Sequence, residues 1–366
     1  MQIEPFGLER WFAEYEHEAD IMLAESGIRS LPASRFDLDP GDLGYVIPTN
    51  GDPDLRTLIG DRYGRSADEV LCTCGTQEAN FLAFLSLLDR DSHAVVVTPT
   101  YQSLRSVPAA LGSVSTVALE PPDWRLDLDA VADAIEPETS IILLANPNNP
   151  TGRYHGAETV AALYDLAADA DAHLLCDEVY RLLADEPLDT VASMGPHGLS
   201  TTSLTKAYGL AGLRFGWLVG DEDVVERAWR WKDYTTISPS LVGQHVAKQV
   251  LGEQEGAILA ENRALAREHR ATVASFVEAH GLTWYEPVGV NGFVTVPDGF
   301  ETGIDFCRTV VEAERVVLAP GEFFDVAGYF RIGFGLPTEE LEEGLCRVGR
   351  VIDGRKPDGT GTETDS

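Results

Sequence analysis

Lysine is nearly missing from this chain. Four lysines stand among 366 residues, against 60 aspartates and glutamates, and the formal net charge is −33. A surface this acidic repels nucleic acid and anionic membranes, so neither is expected as a partner. Long apolar runs are missing too. No stretch approaches the ~20 apolar residues of a membrane span. The opening MQIEPFGLERWF lacks the basic start and apolar core of a leader peptide, so a cytoplasmic protein is expected. Cysteine is sparse: Cys72, Cys74, Cys176, Cys307 and Cys346 form an odd, scattered set, which argues against a disulfide framework. Cys72-Thr-Cys74 lacks metal-type spacing, and all five are read as reduced and mostly buried, with no metal site. The acidic residues are spread out, as at Asp37, Asp39, Asp42, Asp52, Asp54 and Asp221–Asp223, and form no tail. At molar salt the Debye length falls to ~3 Å and such self-repulsion is screened. The composition therefore suggests a halophilic protein from a salt-rich cytoplasm; a merely acidic mesophilic one is the alternative.

What the chain does contain is a regular alternation. Strands are expected at 70–74, 94–98, 114–119, 140–145, 173–177, 200–204 and 216–219, separated by helices from 76 to 88, 101 to 111, 128 to 135 and 159 to 170. Short apolar strands alternating with helices imply an α/β fold with a mainly parallel seven-stranded sheet covered on both faces. Residues 5–25 show helical spacing of Leu8, Trp11, Phe12, Tyr15 and Ala19, with Ser26-Gly27 as the stop. Residues 222–280 predict long helices broken near Ser238-Pro239, and strands at 283–296, 316–320 and 329–334 with a last helix at 338–352 predict a smaller α+β domain. The expected division is an N-terminal helix and arm over 1–44, packing with the small domain, and a large domain over 45–238. An interdomain helix with the small domain follows over 239–354, and 355–366 is expected to be a disordered tail.

Ligands bind beyond the C-terminal ends of such strands, and the chemically suspicious residues fall there. In Thr201–Trp217, TTSLTKAYGLAGLRFGW, Lys206 sits among small hydroxyl and apolar residues, with Ser203 one turn before it and Arg214 after it. A desolvated amine loses its proton more readily and becomes a nucleophile towards carbonyls. A hydroxyl, a guanidinium and backbone N–H groups suit a phosphate. Pyridoxal 5′-phosphate, with an aldehyde and a phosphate, would satisfy the whole stretch; a buried turn with one snorkelling lysine is the plainer alternative.

Gly75-Thr76-Gln77 stands at a strand-to-helix junction, which is either an anion site or an ordinary capped start. Tyr101 offers a ring for stacking on a cofactor, or for core packing. Asn146-Pro147-Asn148-Asn149-Pro150 aims amides outward from a fixed loop, beyond what a plain turn needs. Asp177, ending an apolar strand, needs a cationic partner. A protonated pyridine nitrogen or a neighbouring Arg or Lys would serve, and Tyr180 could hydrogen-bond a phenolate oxygen. Arg331, within Phe330–Phe334, suits a carboxylate or is an edge-strand surface charge.

Taken in order, NPTG, DEVY, SLTK-x-x-GL-x-GLR-x-GW and FRIGF resemble the fold type I pyridoxal-phosphate enzymes of the class I/II aminotransferase superfamily, over about 45–352. The resemblance implies that Lys206 bonds the cofactor aldehyde and moves a proton between the substrate Cα and the cofactor. It implies that Asp177 pairs with the pyridine nitrogen, that Asn149 and Tyr180 bond the ring oxygen and that Tyr101 stacks on the ring. Gly75, Thr76, Gln77, Ser203 and Arg214 would hold the phosphate, and Arg331, beside Asn149, the substrate α-carboxylate. Tyr45, in GYVIPTNGDPDLR, is similar to the tyrosine that reaches the partner subunit's phosphate, which implies a homodimer with shared sites.

Two departures stand out: position 205 is Thr where the family often has Ser, and the glycine pair before the C-terminal strand reads Gly289-Val290-Asn291-Gly292, so the substrate side is expected to differ. Ser26-Gly27-Ile28 and Asp233–Thr236 are similar to stretches of capreomycidine synthase-like members, which eliminate and close a ring on a hydroxylated arginine. The expected activity is amino transfer from an α-amino acid to a 2-oxo acid by a ping-pong scheme. A lyase or cyclase on the same scaffold is the alternative. A non-catalytic pyridoxal-phosphate-binding regulator fits less well, since there is no room for a DNA-binding domain before Gly44.

Overall fold

The computed structural model describes residues 2–355. Seven strands form the large sheet: β1 (Val70–Thr73), β2 (His93–Thr98), β3 (Ser113–Ala118), β4 (Thr139–Ala145), β5 (His173–Asp177), β6 (Gly198–Ser203) and β7 (Gly216–Val219). Their order is β1-β7-β6-β5-β4-β2-β3, and β7 alone runs against its neighbours. This is the mainly parallel seven-stranded sheet that the alternation implied, in the α/β setting expected of a fold type I enzyme from the motif resemblance. Three antiparallel strands, β8 (Asn291–Thr295), β9 (Ala319–Pro320) and β10 (Tyr329–Gly333), form the second sheet in the order β8-β10-β9.

The helices are α1 (Gly7–Tyr15), α2 (Pro53–Gly60), α3 (Thr76–Leu87), α4 (Ser103–Leu111), α5 (Leu128–Ala134), α6 (Ala157–Asp169), α7 (Glu222–Lys232), α8 (Leu241–Gln249), α9 (Glu255–Ala279), α10 (Gly303–Glu314) and α11 (Thr338–Arg355). The large sheet is apolar on both faces, which is why its strands read as continuous runs. Along β4, Ile141, Leu143 and Ala145 pack with Leu82 of α3, Leu104 of α4 and Val224 of α7. Ile142 and Leu144 face the opposite cluster, with Val160 and Leu163 of α6 and residues of the smaller sheet. A turn of π-helix at Val250–Gln254 joins α8 to α9. No helix among the described residues is long and apolar enough to cross a membrane.

Three expectations change. The helix expected over 5–25 stops at Tyr15. Beyond it the arm is irregular, with turns at 16–18 and 23–24, and takes hydrogen bonds from other parts of the chain: Ile21 bridges Val316, Val317 N donates to Ile21 O (3.0 Å) and Gly333 N donates to Leu23 O (2.5 Å). Tertiary pairing overrides the helical spacing of that segment. The strand expected at 283–296 shortens to β8, because Pro287 packs on Gly152 and Val288 N is engaged by Gly152 O at 2.8 Å. The last helix runs through Arg355, the first residue of the expected tail; residues 356–366 lie outside the described residues.

Candidate active site

With β7 reversed, the C-terminal ends of β1, β2, β4, β5 and β6 all open on one edge of the sheet. There a cavity of about 480 Å³ is lined by Thr76, Gln77, Tyr101, Asn149, Asp177, Tyr180, Ser203, Lys206, Arg214 and Arg331. The arm closes its other side with Phe6, Glu9, Phe12, Glu25 and Ser26. Ten expected site residues therefore share one space.

Gly75 stands just behind the wall, with φ +82, a region open to glycine at little cost. A Cβ there would come within 2.8 Å of Arg214 Nη2, so the missing side chain is what lets the guanidinium lie over the start of α3. Arg214 also has a positive φ (52°) and donates to Ala211 O at 3.1 Å. Thr76, 8% exposed, has no partner for its hydroxyl. A helix N-terminus, an unpartnered hydroxyl and a guanidinium make an anion cradle. Tyr45 is elsewhere: it is 77% exposed and does not line the cavity.

Asp177 forms the floor. It accepts from Asn80 Nδ2 at 3.0 Å and from Val179 N at 3.3 Å, and no cation lies within ion-pair distance among the described residues. The enclosing protein pushes its carboxyl up to about 6, against the opposing pull of Asn80, Val179 and Lys206. Asn80 is aligned in turn by Thr201 Oγ1, which donates to Asn80 Oδ1 at 2.6 Å. Sequence reasoning missed Asn80; it lies four residues after Thr76, on the same face of α3, and that spacing could have found it.

Arg331 carries the opposite charge. It is 1% exposed, with Nη1 on Asn149 Oδ1 (2.9 Å), Nη2 on Ala24 O (2.8 Å) and Nε without a partner. No carboxylate forms an ion pair with it among the described residues. Burial pulls its pKa down, while the Glu25 and Glu9 carboxylates of the arm favour the cation. It is therefore no edge-strand surface charge.

Lys206 Nζ donates to Ser26 Oγ at 3.0 Å. Ser26 comes from the arm, 180 residues away; in the sequence it stands as a helix stop and within the Ser26-Gly27-Ile28 likeness, and neither gives its hydroxyl a role at Lys206. Tyr101 donates to Glu9 Oε1 at 2.7 Å, and its ring lies 4.9 Å from that of Phe6. Tyr180 is buried, with its hydroxyl unpartnered.

These residues fit pyridoxal phosphate. A carboxylate without a cation, a lysine on the same wall, two unpartnered hydroxyls and an anion cradle are what its pyridine nitrogen, aldehyde, ring oxygen and phosphate require. Comparison with known proteins agrees. The chain is 31% identical to a capreomycidine synthase of Streptomyces vinaceus, covering 94% of this chain and 93% of that one. It is 29% identical to an aspartate/prephenate aminotransferase of Thermus thermophilus, over 87% and 86% of the two chains. A crystal structure of a PLP-dependent aminotransferase from Streptococcus suis superposes with a TM-score of 0.91 at 28% identity, covering 98% of this chain and all of that one. The family model "Aminotransferase class I and II" matches residues 15–348, and the chain belongs to that family.

Proposed function

We propose that the protein is a pyridoxal-phosphate-dependent aminotransferase that moves an amino group from an α-amino acid to a 2-oxo acid. One observation carries the reading: an enclosed carboxylate, Asp177, and a buried guanidinium, Arg331, face one cavity, and neither has an ion-pair partner among the described residues. Leaving such charges uncompensated is costly. A cationic pyridine nitrogen at one and a substrate α-carboxylate at the other resolve both.

When bound, pyridoxal phosphate supplies an electrophilic carbonyl and an electron-withdrawing ring. Asp177 holds the proton on the ring nitrogen, and Asn80 holds Asp177 in place. Thr76, Gln77, Ser203, Arg214 and the backbone after Gly75 anchor the phosphate, while Tyr101 covers the ring and Tyr180 bonds its oxygen. Arg331, fixed by Asn149, orients the substrate so that its Cα hydrogen faces Lys206. Lys206 Nζ would serve as the base for that proton, and its hydrogen bond to Ser26 Oγ (3.0 Å) would keep the amine aimed.

The segment with Leu43 (82% exposed), Tyr45 (77%) and Ile47 (79%) presents apolar surface. That supports a homodimer in which Tyr45 completes the partner's phosphate site. The five cysteines are free, which supports a reducing, cytoplasmic setting, and the charge of −33 supports a halophilic one. The likeness to capreomycidine synthase favours a second reading, a lyase or cyclase that needs no acceptor.

The test is absorbance of the loaded enzyme. An amino acid should bleach the band of the lysine-bound cofactor and a 2-oxo acid restore it. Product formed without acceptor selects the second reading, and Lys206→Ala with retained turnover sinks the role given to Lys206.

A further inference from the structure

Two carboxylates stand in succession at the end of β5, and they face different spaces. Asp177 lines the cofactor cavity, and Glu178 lines a second cavity of about 440 Å³. This second space lies between α6 and the chain from Glu186 to Met194, and its lining shares no residue with the first. Its volume suits a small molecule. Val160, Val191 and Met194 give it an apolar wall, and Glu186 and Asp189, both exposed, stand at its mouth.

Glu178 is 4% exposed and only half satisfied. Its Oε1 accepts from Val191 N at 2.8 Å and from Ser200 Oγ at 2.9 Å. Its Oε2 is buried and accepts no hydrogen bond among the described residues. The cation beside it is Arg181, whose Nε stands 3.5 Å from Oε2 without hydrogen bonding to it, while Nη1 donates to Leu188 O at 2.7 Å. The same two residues line a further cavity of about 380 Å³, so space opens on both sides of the pair. Burial pushes the Glu178 carboxyl up to about 7, against the pull of Arg181, Val191 N and Ser200. A buried acceptor left without a donor costs free energy that a ligand in the gap recovers.

The gap presents an acceptor and a donor side by side, with opposite charges. An ammonium would satisfy Oε2 and face Arg181. A carboxylate would satisfy Arg181 and face Glu178, with two more carboxylates at the mouth. A carboxamide or ureido group serves both, because its C=O accepts while its N–H donates. We propose that this cavity binds a neutral small molecule with a carboxamide or ureido edge on an apolar body. The edge bridges Arg181 Nε and Glu178 Oε2, and the body rests on Val160, Val191 and Met194. No residue of the cofactor cavity enters the proposal, so it stands apart from the aminotransferase reading.

The test compares three probes of one shape: benzamide, benzoate and benzylamine. Each is titrated into cofactor-loaded enzyme at pH 8 in KCl and followed by calorimetry and ligand-observed NMR. Affinities are compared for the binding that Ala161→Phe removes, which sets aside any benzoate held at Arg331. Benzamide should saturate one site, leave the cofactor band unmoved and bind about 10-fold or more tightly than either ion. Ala161→Phe narrows the cavity from an exposed position on α6, so it does not threaten folding. Glu178→Gln keeps an oxygen for Val191 N and Ser200 but turns an NH2 group towards the gap. Each variant should weaken benzamide binding about 10-fold or more. Absence of saturable benzamide binding means that the gap holds water alone, and overturns the proposal. Benzamide affinity unmoved by Ala161→Phe overturns the location. Benzoate or benzylamine binding as tightly as benzamide, and lost in Ala161→Phe, overturns the neutral ligand class. None of these outcomes bears on the bleaching of the cofactor band by amino acids.

Discussion

Breaking the ion pair between Lys232 and Glu78 should loosen the cofactor site without touching it. Lys232, on α7, is wholly buried, and its Nζ lies 2.9 Å from Glu78 Oε2; the Glu78 side chain is 9% exposed. Glu78 is the third residue of α3, and it also accepts from Cys74 N (2.6 Å), Thr235 Oγ1 (2.7 Å) and Thr236 Oγ1 (2.6 Å). It therefore ties the first turn of α3, which carries Thr76 and Gln77, to the end of α7 and the loop beyond. Removing one member of a buried pair costs about 3–5 kcal/mol, because the other charge stays behind. For Lys232→Met the lower figure applies, since three donors remain on Glu78. For Glu78→Gln the higher applies, since the ammonium keeps only Thr236 among side-chain partners. Neutralising both should cost only about 1–2 kcal/mol, because no charge is stranded. The double-mutant coupling is then about 6–7 kcal/mol, measured by urea unfolding of cofactor-free protein with m unchanged. Burial opposes ionisation of Glu78, but Lys232 and the donors around it hold its pKa below the ordinary value. The stability it adds is thus present above the unfolded carboxylate pKa of ~4.3, and it fades as pH falls through the lower folded value. The gap between wild type and Lys232→Met should narrow accordingly. Either single variant should weaken pyridoxal-phosphate binding about tenfold. Additive single effects below ~1 kcal/mol would refute the pair as a structural tie; lost stability with undiminished cofactor affinity would refute its link to the cradle.

Three further outcomes are expected. Asp177→Asn should make cofactor-free protein more stable above pH ~6, because its carboxyl, raised to about 6, adds stability when protonated and loses it as pH rises through that value; the same variant should bind cofactor more weakly, and thermal melts at pH 5 and 8 with and without pyridoxal phosphate check both signs. Gly75→Ala should cost about 1–3 kcal/mol through its positive φ and displace Arg214, raising the half-saturating cofactor concentration; an unchanged value refutes the proposed contact. With a net charge of −33, the melting temperature should climb steadily from 0.1 to 2 M KCl, and a flat or falling series would remove the halophilic reading.

The sheet and its ligand edge were legible because both depend on local pattern. Strands buried on two faces read as apolar runs, and polar residues at their C-terminal ends, Asp177 and Asn149 among them, break those runs where a site must lie. The arm was not legible. Its residues 21–28 acquire their conformation from Val316, Val317, Gly333 and Gly335, some 300 residues away, and no local spacing encodes that pairing. Ser26 therefore read as a stop signal, although its hydroxyl meets Lys206, and Glu9 and Glu25 gave no signal of their own, although both line the cavity. Asn80 was hidden for a milder reason: its partner Asp177 lies 97 residues on, but its helix face was readable.

This division has a chemical consequence. The edge of the large sheet supplies groups that a pyridoxal-phosphate enzyme of this architecture needs, an anion cradle, a carboxylate and an amine, and β10 of the smaller sheet supplies Arg331 as the anchor for the α-carboxylate. None of these distinguishes one amino acid from another, since all are spent on atoms that every α-amino acid or the cofactor itself presents. Discrimination has to come from the rest of the lining, to which the arm contributes Phe6, Leu8, Phe12, Glu9, Glu16 and Glu25 and the large domain Leu104, Pro147 and Val179. The arm hangs on the smaller sheet by backbone hydrogen bonds at Leu23 and Arg29, which place the chain while leaving its side chains free to differ. The segment hardest to read from sequence is thus the one that closes the cavity over the sheet edge, and exchanges at its lining residues Phe6 and Phe12 should shift which amino acids bleach the cofactor band while the band itself stays; a panel of amino acids that responds identically in both variants would refute a part for the arm in selection.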